Sequence, residues 1–186
     1  MSTNQATDNS LPIATAIGEF IAGARGRNYP GEIQDLAQMC LVDWFGVCIG
    51  AKAEPAQQAV RKVVESWKSA GTAPIVLGGS AAAPAAALVN GTMAHCLDYD
   101  DLHFPSLGHL SAPVWAATLA LGAEHKSDER TLLAAFITGF EIGARLGSNG
   151  VGQAVSHRGW HSTGVVGRLG AAAAWRLRQI ESDRLR

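Results

Sequence analysis

Apolar residues stand at Ile33, Leu36, Ala37, Cys40, Leu41, Trp44, Phe45 and Cys48, the i, i+3, i+4, i+7 spacing of one helical face, kept up through almost four turns. Pro30 lies near the start of this stretch and Gly50 near its end, the usual punctuation of a helix. A second stripe, Ala56, Ala59, Val60, Val63, Val64 and Trp67, begins beside Pro55 and stops at Gly71. Only Ile75-Val76-Leu77, between Pro74 and Gly78-Gly79, reads as extended, and three β-favouring residues cannot form a sheet by themselves. Further helices are predicted over 81–97 with Ser80 as cap and Pro84 in the first turn, over 111–123, and from a Ser127 or Asp128 cap to about Leu146. Glycines recur at Gly139, Gly143 and Gly147 and again at Gly164, Gly167 and Gly170. Glycine within a helix costs ~1 kcal/mol relative to alanine, so these ridges make sense where helix backbones pack closely. The expected fold is all-α, with at most one very short β element.

At 186 residues and 47% hydrophobic the chain can bury one core, which sets the expectation of a single domain. Fifteen Lys and Arg against 16 Asp and Glu give a net charge of −1, so no basic field exists to draw in a nucleic acid. Only 17% of residues are charged, below the roughly 25% usual for globular domains. A surface so short of charge is expected to be covered in part, by another subunit or by further chain. The charge-free run 110–123 holds Ser111, Pro113 and Thr118 and falls short of the ~18 apolar residues of a membrane span. No spanning segment is expected. The opening M-S-T-N-Q-A-T-D-N-S has neither a positive n-region nor an apolar signal core. A cytoplasmic protein with a disordered start over 1–11 is therefore expected. Cys40, Cys48 and Cys96 are odd in number and lack C-x-x-C spacing, the pattern of core thiols rather than of a disulfide frame or a zinc knuckle.

The ionisable side chains concentrate in H-C-L-D-Y-D-D-L-H-F-P-S-L-G-H, residues 95–109. His95 and Asp98 are one turn apart at a helix end, and Asp100, Asp101, His103 and His109 follow where Pro105 and Gly108 break the helix. Such groups between Ala-rich helices cost free energy to bury unless they are paired or used. The spacing leaves three readings open: an active site, a structural hydrogen-bond network or solvated loop, and a metal site. A second element is R-G-W-H-S-T-G, with His161 at the start of a glycine-rich helix. The positive end of that helix disfavours an imidazolium and favours an anion. His161 is then either a neutral group facing an anionic substrate or the cap of its own helix. Glu141 and Arg145, at i and i+4, read as an intrahelical pair.

Four motifs in order, N-G-T-M-A-H-C-L-D-Y-D-D (90–101), H-L-S from His109, G-F-E-I-G-A-R-L-G (139–147) and G-W-H-S-T-G-V-V-G-R-L-G-A-A-A-A (159–174), resemble the MmgE/PrpD family. D-W-F-G-V-C-I-G (43–50) is similar to that family's early helix. The family includes 2-methylcitrate dehydratase, cis-aconitate decarboxylase and iminodisuccinate epimerase. The resemblance runs over 12–180, followed by a short tail at 181–186. It implies an all-helical domain, a separate α+β lid, a site in the cleft between them, a homodimer, and no cofactor or essential metal.

By motif, Asp98, His109 and His161 match family active-site residues, and Asp101, His103, Ser111 and Thr163 are carried along as substrate-binding candidates. The implied substrates are small di- or tricarboxylates, and the implied chemistry is proton transfer next to a carboxylate. The chain is well under half the length of a family member and ends before the family's later lysine and lid. The expectation is an incomplete N-terminal helical domain, weak or inactive alone, that self-associates or joins a missing C-terminal half. Two other classes stay in view: an inactive helical remnant serving as an interaction module, and a metal-dependent hydrolase using the 95–109 cluster.

Overall fold

The computed structural model describes residues 12–24 and 27–182, with side chains as far as 176. The expected disordered start at 1–11, and all but the first two residues of the 181–186 tail, lie outside the described residues. Eight α-helices are described: α1 Ile13–Ala24, α2 Gly31–Gly50, α3 Pro55–Ser66, α4 Ala83–His95, α5 Ser111–His125, α6 Glu129–Gly147, α7 Val151–His157 and α8 Arg168–Ser182. The all-α expectation holds, and the β content is one antiparallel pair, β1 Ala73–Pro74 with β2 Ser80–Ala81.

The extended segment sits two residues earlier than Ile75-Val76-Leu77. The reason is a side chain distant in sequence: Asn90 of α4 accepts from the Val76 N–H at 2.9 Å and donates to the Pro74 carbonyl at 2.9 Å. With its N–H taken by Asn90, Val76 lies in the turn that joins the two strands. Ser80 pairs in β2 and does not cap α4. The Ala83 N–H is instead satisfied by the Glu124 carboxylate of α5 at 2.6 Å, meeting a donor that the helix start leaves open.

α5 is the central element. Val114, Trp115, Ala116, Thr118 and Ala120 are buried on several of its faces, and α4, α6 and α8 pack around it. Trp115 stacks on Phe136 of α6 with centroids 4.1 Å apart and planes 10° from parallel. The Trp44 indole N–H of α2 donates to the Ala112 carbonyl at 3.2 Å. α6 and α8 touch main chain to main chain: a Cβ on Gly170 would come within 2.5 Å of the Gly139 carbonyl, and one on Gly139 within 2.6 Å of the Gly170 carbonyl. Gly139, Gly167 and Gly170 thus mark close contact between helical segments, and Gly147 closes on Ser106 in the loop before α5. Gly164 is the exception, with only the His161 ring edge at 3.8 Å.

α2 and the 3-10 turn after it, Gly31–Ala53, are long and apolar enough by length and composition to cross a membrane, contrary to the sequence expectation. In the fold Ala37, Trp44, Val47 and Cys48 face the core. Leu36, Met39, Val42 and Ile49 remain exposed on the same helix, so its apolar stripe is wider than the face it buries. No disulfide occurs among the described residues: Cys48 is buried, and Cys40 and Cys96 are half-buried thiols.

Candidate functional site

Three helix ends meet where the polar cluster lies. α4 ends at His95, α5 begins at Ser111, and α8 is entered through a π-helical turn, Thr163–Gly167, just after His161. Between α4 and α5 the chain reverses at Asp98, whose φ of 55° lies in the left-handed region that Asp tolerates better than most side chains. A bridge between His103 and Gly108 closes the following loop.

Asp100, with its side chain 3% exposed, sits at the centre. The His95 Nδ1–H donates to its carboxylate, at 3.0 and 3.2 Å from the two oxygens. The His109 Nδ1 lies 3.2 Å from Asp100 Oδ1 and 3.1 Å from the Asp100 main-chain carbonyl. Both neighbours are acceptors, so the proton of neutral His109 is on Nδ1 and its Nε2 is bare. That Nε2 faces Asp98 Oδ1 at 3.6 Å. His95 Nε2 lies 3.4 Å from His161 Nε2, while the Gly164 N–H donates to His161 Nδ1 at 3.3 Å. His161 therefore does cap its own helix with one ring nitrogen, and it joins the cluster with the other. The His95 ring lies 4.9 Å from that of His109 and 5.1 Å from that of His161, centroid to centroid. The His95 pKa is raised, first by its hydrogen bond to Asp100, with burial opposing and the Asp100 and Asp98 charges adding.

Asp98, His109 and His161 are thus drawn into one cluster, and the two groups that join them, His95 and Asp100, are named in the sequence reading without a catalytic or binding role. Both stand in the 95–109 run, but the left-handed turn at Asp98 brings the acid at i+5, rather than the one at i+3, onto His95. The substrate-binding candidates divide. The Thr163 hydroxyl accepts from the His109 main-chain N–H at 2.9 Å and borders the site. The Ser111 hydroxyl donates to the Asp101 carboxylate, and the Asp101 main-chain N–H donates to Asp43 of α2 at 3.3 Å. Burial raises the Asp101 pKa first of all. The same surroundings push the Cys40 thiol of α2 up to about 12, through burial and then the Asp101 charge. Asp101 and Ser111 therefore act on the α2 side, away from the imidazoles. His103 is occupied within its loop, with Nδ1 2.9 Å from the Ser106 hydroxyl and its ring edge-on to Phe140. The Glu141–Arg145 pair forms as expected.

From the imidazoles an open groove of about 610 Å³ runs between α4 and α8 over α5. Pro84, Ala87, Leu88, Ala116 and Ala171 give it apolar walls, and His95, His161, Thr163 and Arg168 supply its polar groups. Among the described residues, His95, Asp98, Asp100 and His109 form the one group whose donor atoms lie close enough to hold a metal ion, all within 4.8 Å of one another.

The loop and helix ends of this helical domain gather two carboxylates and three imidazoles, side chains able to take up and release protons. The model of the MmgE/PrpD N-terminal domain matches residues 15–178, and the chain belongs to that family. It is 24% identical over 170 residues to the cis-aconitate decarboxylase-like protein oryM of Aspergillus oryzae (strain ATCC 42149 / RIB 40), covering 87% of this chain and 35% of that protein. It is 24% identical over 191 residues to the cis-aconitate decarboxylase of Aspergillus terreus, covering 97% of this chain and 39% of that protein. The chain thus spans between a third and two fifths of the length of these relatives.

Proposed function

We propose that the chain forms the N-terminal helical part of a lyase for a small di- or tricarboxylate, working by proton transfer at a carbon next to a carboxylate. The observation that carries this reading is the placing of His109, whose Nδ1 is taken up by Asp100 while its Nε2 faces the cluster's exposed carboxylate, Asp98, at 3.6 Å. Of the three imidazoles, this Nε2 is the nitrogen that can take a proton without breaking a hydrogen bond inside the protein. His109 then serves as base, Asp98 as its partner in proton exchange, and His161 as a polar group beside the bound carboxylate. Arg168 supplies positive charge in the groove. An open, wet groove weakens electrostatic stabilisation of a transition state, so the chain alone binds such anions more readily than it turns them over.

The test is a titration of the chain with cis-aconitate and with 2-methylcitrate, followed through the histidine ring resonances, with turnover assayed in parallel. Saturable shifts at His109 and His161, lost in His109→Gln, support the reading. Unchanged rings at millimolar ligand overturn it. The metal-dependent hydrolase keeps one observation in its favour, the 4.8 Å donor group. Near-stoichiometric zinc, manganese or iron in protein purified without chelators would promote it. Self-association belongs to the same proposal, since the exposed apolar side chains of α2 form the kind of patch that a second subunit covers.

A further inference from the structure

We propose that His95 and Asp100 are positioning residues, a hydrogen-bonded chain from the buried carboxylate through His95 to His161 that fixes which nitrogen of each imidazole carries its proton. The argument follows from donors and acceptors. Asp100 accepts at Nδ1 of His95, so that nitrogen bears hydrogen and the Nε2 of neutral His95 is a lone pair. The Gly164 N–H donates to His161 Nδ1, so that nitrogen is a lone pair and the hydrogen of neutral His161 is on Nε2. The two Nε2 atoms, 3.4 Å apart, then match as donor and acceptor, with His161 donating to His95. Any other neutral assignment sets two lone pairs or two N–H groups against each other at one of these contacts. The same carboxylate oxygen that takes His95 also takes His109, so one buried acid orients both rings.

His161 is thereby held as a single tautomer beside the groove, with its one N–H directed at His95. His109 keeps its basic nitrogen turned towards Asp98. This assignment of protons depends on the hydrogen bonds alone, and it rests on the lyase reading only for what the oriented rings act upon.

The experiment uses the full chain with 15N-labelled histidine, at a pH of about 9, well above the ordinary imidazole range. Long-range proton–nitrogen correlation separates protonated from bare ring nitrogens. The expected result is Nδ1–H for His95 and His109 and Nε2–H for His161. His95 found as Nε2–H in the unaltered protein overturns the proposal without recourse to any variant. In His95→Ala, His161 is expected to lose its single tautomer, and in His95→Gln, whose amide oxygen reaches the position of Nε2, to regain it. His161 held wholly as Nε2–H in folded His95→Ala would show that Gly164 alone fixes it, and would overturn the role given to His95. In Asp100→Leu, His95 is expected to lose its Nδ1–H while His109 keeps its own through the main-chain carbonyl of residue 100. Retention by both would remove Asp100 from the chain. Failure to bind a polycarboxylate would leave these signatures untouched, so the two readings fail separately.

Discussion

At the scale of single residues, the contact between His95 and Asp100 links protonation to stability. Its hydrogen bond to Asp100 raises the His95 pKa in the folded state above the ordinary value, so the folded protein holds that proton more tightly than the unfolded chain does. The resulting stabilisation is fully present below the unfolded imidazole pKa, near 6.5, and is lost as pH rises through the higher folded value. Urea unfolding from about pH 5.5 to 8.5 is expected to show the unaltered chain losing stability relative to His95→Gln as pH rises. Parallel curves for the two proteins would show that the pair carries no such linkage. Protonation has a local price as well: a second N–H enters the space between His95 and His161, and His161 must then move its own proton to Nδ1 and release Gly164.

Among the elements, the glycines of the π-helical turn and of α8 divide by what surrounds them. Gly170→Ala would drive a Cβ to 2.5 Å from the Gly139 carbonyl and 3.2 Å from Val114. Main chain cannot yield as a side-chain tip does, so a loss of about 1–3 kcal/mol is expected in denaturant unfolding. Gly164→Ala meets only the His161 ring nitrogen, at an ordinary contact distance of 3.8 Å, and is expected to be neutral or to add up to ~1 kcal/mol through helix propensity. Equal losses at both sites would refute the close-contact account of α6 and α8. At the head of α6 the Asp128 carboxylate accepts from the Thr131 N–H at 2.8 Å, and Asp128→Ala is expected to cost about 1 kcal/mol. That cap and the course of α6 could be read from sequence, because capping and apolar period act within a few residues. The β hairpin could not, since Asn90 fixes it from the next helix and Glu124 caps α4 from the helix after that. The site was half legible for the same reason: residues 95–109 advertised the chemistry, while the choice of Asp100 over Asp98 as partner of His95 was set by one backbone angle.

For the whole molecule, the wide apolar face of α2 predicts association. Leu36 is 56% exposed and Met39 66%, with Val42 and Ile49 beside them. Sedimentation over a range of concentrations is expected to show reversible self-association, reduced in the Leu36→Glu, Met39→Glu double variant with helix content unchanged. A unit mass equal to the monomer throughout, or no effect of the double variant, would sink that expectation. The main-chain contact between Gly139 and Gly170 has a different consequence, for how the molecule opens. Because α6 and α8 meet without intervening side chains and both lean on α5, the helical turn that follows His161 and the start of the helix that follows His109 are held by the same packed unit. Amide hydrogens in the middle of α5, α6 and α8 should then exchange with solvent only when the whole protein unfolds, whereas those of α1 and α7 exchange through local opening. The imidazole cluster would keep its geometry through the small fluctuations that loosen the periphery, and would lose it all at once.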